Sequence, residues 1–286
     1  MSRPLTLLLC ALAVLAVAPT AAQAAAKPKK LYVSLGDSYA TGFQESSATR
    51  KGYANQLLPA ARKRGWDLRL VNFGCGGETS SSILERTKAC GGPAIGGPRY
   101  AGRTQVAAAE RFLRRNRGKV ALVTVSIGGN DVTACAAQPD PVPCVGPAVQ
   151  AMEKNVRTLL KRVRKAAGKK VRIVGITYPD VILGEWVRGD QNLARLSVIA
   201  FRDILNPALK TRYEAVRGRF VDVTAATGAY GPLEETTTLA PYGVIPKPVA
   251  EVCRLTYYCE TANIHARASG YKLIAGLIAK TLPRRR

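Results

Sequence analysis

Leu31-Tyr32-Val33-Ser34-Leu35-Gly36-Asp37-Ser38-Tyr39 is the stretch on which the fold turns. Apolar side chains at four of its first five positions read as a buried strand, and Gly36-Asp37-Ser38 reads as the sharp turn that ends it. Working outward, the same alternation repeats. Helical spacing covers 53–64 up to Gly65 and returns at 106–115, 149–167, 193–216 and 268–282. Strand-like runs cover 67–71, 120–127, 171–177 and 219–223. Apolar strands alternating with helices predict a three-layer α/β/α domain with a parallel sheet covered on both faces. The Gly/Pro-rich segment 90–102 and the Gly/Pro/Thr-rich segment 224–260 show no periodicity and are expected to be irregular.

The first 26 residues carry Arg3, an apolar run over 5–17 and a small-residue stretch around Ala22-Gln23-Ala24. These are the three parts of a secretory signal peptide, and the run is too short to span a bilayer. The expected organisation is therefore a signal peptide over 1–26 and a single domain over 27–286, exported and monomeric, with no transmembrane segment. Cys10 falls in the discarded part. Six cysteines follow, in three local pairs, and the absence of C-x-x-C together with a single histidine argues against zinc. Disulfides Cys75–Cys90, Cys135–Cys144 and Cys253–Cys259 are expected, as suits an exported chain.

Lys and Arg number 43 against 19 Asp and Glu, a formal charge of +24. Such a balance favours anionic surfaces, either lipid headgroups or acidic wall polymers. No nucleic-acid motif accompanies it, and aromatic residues make up only 6% of the chain, so nucleic acid is not an expected partner.

In an open parallel sheet the reactive crevice lies beyond the C-terminal strand ends. Four features fall there. Ser38 follows the first strand. Asn72-Phe73-Gly74-Cys75-Gly76-Gly77-Glu78-Thr79 follows the second, with glycines that let a backbone N–H approach a substrate oxygen. Ser126-Ile127-Gly128-Gly129-Asn130-Asp131 follows the third, where an asparagine amide can donate to a developing oxyanion. His265, the only histidine of the chain, follows the fifth. Each alone is ordinary turn or cap chemistry. Together they supply a nucleophile, oxyanion donors and a base, which is what acyl transfer needs.

Gly36-Asp37-Ser38-Tyr39, Gly77-Glu78-Thr79, Gly128-Gly129-Asn130-Asp131 and His265 resemble the four sequence blocks of the GDSL, or SGNH, hydrolases. The resemblance implies a flavodoxin-like five-stranded parallel sheet. It also implies a secreted ester hydrolase that needs no metal or organic cofactor, with lipid or other acyl esters as substrates. Carried over block by block, Ser38 is the nucleophile, His265 the general base and acid, and the N–H groups of Ser38 and Gly77 with the Asn130 amide form the oxyanion hole. Gly77 rather than Gly76 is chosen because it stands five residues after Asn72 and two before Thr79.

The last block departs from the family pattern: Ala262 and Ala266 stand where aspartate and proline are usual. The acid that orients the imidazole is thus missing. The leading expectation is that the backbone carbonyl of Ala262 holds His265. Replacement of the acid by Glu260 or by another acid from elsewhere, and a weakened or dead enzyme, are the alternatives. On function, the rivals are an O-acetylesterase acting on wall or extracellular polysaccharide and a catalytically silent envelope-binding protein.

Overall fold

The computed structural model describes residues 29–87 and 90–285; the expected signal peptide lies outside them. Five parallel strands form the central sheet: β1 (Lys30–Gly36), β2 (Leu68–Asn72), β3 (Val120–Ser126), β4 (Arg172–Ile176) and β5 (Arg219–Val221). Their order is β2-β1-β3-β4-β5, the flavodoxin-like arrangement. The chain reverses its direction of winding between β1 and β3, so the crevice at their C-terminal ends is the natural site position.

Period-two alternation divides the sheet between two cores. Leu31, Val33 and Leu35 of β1 face one side, with Val106, Leu113, Val156, Leu160, Leu209 and Tyr213 from helices Gln105–Arg115, Val142–Ala167 and Asn206–Glu214. Tyr32 of the same strand faces the other side, with Leu57 of helix Tyr53–Arg62 and Tyr271, Ile274 and Ile278 of helix Ala268–Lys280. The sequence periodicity of β1 is continuous because both faces are covered.

Three expectations change. The predicted helix over 193–216 is broken: Gln191–Ile199 passes through a π-helical turn, Ala200–Leu205, before Asn206–Glu214. Pro207 has no N–H for the carbonyl one turn back, which favours a wider turn there. Helix Val142–Ala167 begins seven residues before the periodicity that marks it from Val149 onward. Its first turns present Val142 and Val145 to a cavity rather than to the sheet alone. Segment 224–260 is not irregular. It holds the antiparallel hairpin β6 (Thr236–Leu239) and β7 (Gly243–Pro246), helix Lys247–Leu255, and strand β8 (Thr256–Tyr257). β8 pairs antiparallel with β9 (Asn263–Ala266), which carries His265. Cys75–Cys90, Cys135–Cys144 and Cys253–Cys259 are disulfide-bonded, with Cα atoms 5.8, 5.6 and 5.2 Å apart.

Candidate active site

Ser38 begins the one-turn helix Ser38–Thr41 at the end of β1, and is buried. Gly36 must be glycine: its φ is +132°, and a Cβ would lie 2.0 Å from the Ser126 carbonyl oxygen. The Gly36 backbone is clamped from across the molecule by Gln105. Gly36 N–H donates to Gln105 Oε1 at 2.7 Å, and Gln105 Nε2 donates to the Gly36 carbonyl at 2.9 Å. Asp37 caps the helix by accepting the Tyr39 N–H at 2.9 Å. Its other oxygen accepts the hydroxyl of Tyr178, the second residue after β4. Burial pushes the Asp37 carboxyl up to about 7, against the hydrogen bonds from Tyr178, the Tyr39 N–H and Ser126, which pull it down.

The two glycine-containing loops are tied to each other. Asn130 Nδ2 donates to the Glu78 carbonyl at 2.8 Å, and the Asp131 carboxylate accepts the Ser80 N–H at 2.9 Å as well as its hydroxyl at 2.6 Å. Glu78 is itself buried and paired with Arg86 at 3.0 Å. An amide nitrogen carries two hydrogens, so one on Asn130 is left for another acceptor. Gly76 N–H is already used, donating to Gly92 O at 2.8 Å. Gly77, at φ +72°, is exposed, and neither its N–H nor that of Ser38 donates a hydrogen bond among the described residues.

His265 is held by its neighbour two residues back. Its Nδ1 lies 2.7 Å from Asn263 Oδ1, which also accepts the His265 backbone N–H at 3.0 Å. Asn263 Nδ2 donates to the Glu45 carbonyl at 2.8 Å, so the amide oxygen is the atom turned toward the ring. This arrangement favours hydrogen on Nδ1 and a lone pair on Nε2. The contact expected from the Ala262 carbonyl is absent. Ala262 adopts the left-handed conformation (φ +57°) and ends helix Tyr258–Thr261, donating its N–H to Tyr258 O at 2.8 Å. That turn lets the Asn263 side chain fold back onto the residue two ahead, an Asx turn. Glu260 is committed to Arg267, 2.6 Å away. The imidazole packs on Phe43 with ring centroids 4.5 Å apart, and burial lowers its pKa from 6.5 to about 4.

A cavity of about 320 Å³ contains Ser38 and Asn130 in its wall, together with Asp37, Tyr39, Tyr178 and Ile264. Thr133 and Ser197 also line it, and the rest of the wall is apolar, including Val132, Val142, Val145, Ile182, Leu193, Leu196, Ile199, Phe201 and Ile204. Gly77 and His265 do not line this cavity, and Ser38 makes no hydrogen bond to His265 in the structure. The elements bearing the two are joined instead by the Tyr39 hydroxyl, which donates to the Ile264 carbonyl at 2.7 Å. Sequence reasoning missed Tyr178, Gln105 and Asn263. Tyr178 could have been found as another residue just past a strand end, and Asn263 as an Asx turn before His265. Gln105 gives no local signal.

A sequence model of the GDSL-like lipase/acylhydrolase family matches residues 34–273, and the chain belongs to that family. No curated protein matches it by sequence. Among solved structures it is similar to Est24, a carbohydrate acetylesterase from Sinorhizobium meliloti, with 13% identity, a TM-score of 0.50, and coverage of 88% of this chain and 98% of that one. It is also similar to an extracellular lipase from Streptomyces rimosus, with 17% identity, a TM-score of 0.49, and coverage of 88% and 99%. The acetylesterase likeness concerns the fold.

Proposed function

We propose that the chain is an exported serine ester hydrolase that acts on esters with an apolar acyl group. The carrying observation is the cavity itself: Ser38 and Asn130 sit in the wall of a mainly apolar space of about 320 Å³. That volume is within the range of roughly 300–1,000 Å³ common for small-molecule sites. Four of the six exposed large apolar residues among the described residues, Val142, Leu196, Ile199 and Ile204, border it. Export is supported by the three disulfides and by the signal-like start of the sequence. Among the described residues no helix is long and apolar enough to cross a membrane.

In the mechanism, Ser38 Oγ attacks the ester carbonyl carbon while His265 Nε2 takes the hydroxyl proton. Hydrogen bonds between nucleophile and base commonly tighten only once substrate is seated. The carbonyl oxygen, now an oxyanion, accepts from the N–H groups of Ser38 and Gly77 and from the free hydrogen on Asn130 Nδ2. His265 then gives its proton to the departing alcohol, leaving an acyl ester on Ser38. Water repeats the sequence: it loses a proton to His265, attacks the acyl carbon, and frees the acid and Ser38. Asn263 does the orienting work of the missing aspartate, holding Nδ1–H without adding a charge.

Turnover across p-nitrophenyl esters of increasing acyl length tests this reading. Each CH₂ buried in the cavity is worth about 0.8 kcal/mol, or roughly fourfold in kcat/KM. A rise continuing past butyrate is expected. A maximum at acetate, with higher turnover of acetylated sugars, would replace the acyl-ester reading with an acetylesterase.

A further inference from the structure

The outer face of two neighbouring helices carries a charge pattern for which ester chemistry has no use. From Lys154 to Arg172 the chain has nine Lys and Arg and no Asp or Glu. Four of these, Lys154, Arg157, Lys161 and Lys165, are exposed along helix Val142–Ala167. Their spacing of three, four and four residues aligns them in one stripe, about 16 Å long at 1.5 Å rise per residue.

Helix Gln105–Arg115 lies alongside, joined through Glu110 and Arg162 at 2.8 Å. Just past its end, the Arg117 guanidinium donates to the Lys165 carbonyl at 3.0 Å, so the C-terminal ends of the two helices adjoin. This helix adds Arg111, Arg114 and Arg115, all exposed. None of these seven side chains makes an ion pair among the described residues. Arg115 and Arg103 crowd Arg111 and push its guanidinium below its ordinary value. Like charges at helical spacing destabilise a helix, so this face is repulsive until an anion covers it.

We propose that this face is a dock for a linear phosphate-bearing polymer, a hydrated chain rather than a bilayer. Surfaces that seat on lipid place large apolar side chains beside their basic ones. Here the exposed large apolar residues are Ile95, Val142, Leu196, Ile199, Ile204 and Val244, all outside the stripe. Single-stranded nucleic acid is gripped through aromatic platforms, and the one aromatic residue of these helices, Phe112, packs against the core. The cations recur every 4.5–6 Å or so along the helix axis, a ladder suited to successive anionic groups of an extended chain. The stripe starts eight residues beyond Gly146, the last cavity-lining residue of the same helix, about 12 Å along it. A docked polymer therefore holds the cavity close to the material that carries it.

The test uses the whole protein and long-chain inorganic polyphosphate, titrated at several salt concentrations. A variant with Lys154→Gln, Arg157→Gln, Lys161→Gln and Lys165→Gln is compared with a control, Lys63→Gln, Arg69→Gln, Lys272→Gln and Lys280→Gln, which loses the same charge elsewhere. The dock variant is expected to bind at least tenfold more weakly with a shallower salt dependence, and the control to stay within threefold of wild type. Arg111→Gln with Arg114→Gln and Arg115→Gln on the neighbouring helix gives a second reading and should weaken binding in the same direction. Equal losses in dock and control variants would overturn the proposal in favour of net charge alone. Tighter binding of anionic phospholipid vesicles or duplex DNA to the same stripe would overturn the choice of partner. Unchanged ester turnover in all three variants verifies that they are folded.

Discussion

Around Ser38 the backbone is clamped by buried polar side chains drawn from distant segments, whereas around His265 one neutral amide does the holding. Gln105 grips Gly36 through both backbone groups, Asp37 takes the Tyr39 N–H and the Tyr178 hydroxyl, and the loops bearing Gly77 and Asn130 are cross-tied through Glu78 and Asp131. His265 rides on β9, four residues long and paired only with the two-residue β8, and Asn263 alone contacts its ring nitrogen. In the proposed mechanism, a position that must present N–H groups to a developing charge tolerates little displacement, and buried clamps would give that precision at Ser38. In the same mechanism His265, as the base, needs mainly the right tautomer, which the Asn263 amide oxygen favours. Burial disfavours charge on one group in each region: Asp37 is pushed up to about 7 and His265 down to about 4. Between those values both groups are neutral.

The comparison can be broken most severely at the base. His265→Ala should lower kcat by about 10⁴-fold, the scale set by loss of a triad member, with circular dichroism unchanged; survival of turnover would mean another base. Next in size, Asn263→Ala should cost about a hundredfold in kcat, or roughly 2.7 kcal/mol, with little change in KM. Asn263→Asp separates charge from orientation. Wild-type kcat/KM should fall only as pH drops through about 4, because burial keeps the imidazole unprotonated above that value. A carboxylate at position 263 favours the imidazolium, so the acidic limb should move to higher pH; an unmoved limb would show that Asn263 does not face the titrating ring. On the clamped side, Gln105→Leu leaves the Gly36 N–H buried without a partner, while the Gly36 carbonyl keeps the Cys75 N–H at 3.0 Å. It should cost roughly 1–3 kcal/mol of stability in denaturant titration, the penalty for one stranded buried group. A cost below 0.5 kcal/mol would mean the clamp is dispensable.

The sheet was legible in the sequence because its strands are buried on both faces and its helices have one apolar stripe, so periodicity reports them directly. The positions of Ser38 and Asn130 in one cavity wall were legible because turn residues at strand ends fall on one edge of a parallel sheet, whereas His265 stood out only as the single histidine and lies on β9, outside that sheet. What escaped depends on geometry between segments. Gln105 reads as an ordinary first residue of a helix, yet it satisfies a backbone 69 positions away. Ala262 drew attention because an acid is usual there, but its left-handed turn moves the orienting role to the side chain of Asn263. The hairpin within 224–260 was hidden because β6 and β7 are four residues each and mostly exposed, too short to show alternation. The helical break at Ala200–Leu205 was masked because its apolar residues face the cavity at the same spacing as a continuous helix.

Covalent trapping bears most closely on whether Ser38 is a nucleophile activated by His265. A fluorophosphonate probe added to folded protein, followed by peptide mapping, should place one adduct on Ser38. The adduct should fail to form in protein denatured before the probe is added or in Ser38→Ala, and should form far more slowly in His265→Ala. Folded protein left unlabelled, or an adduct that persists in Ser38→Ala, would contradict the account.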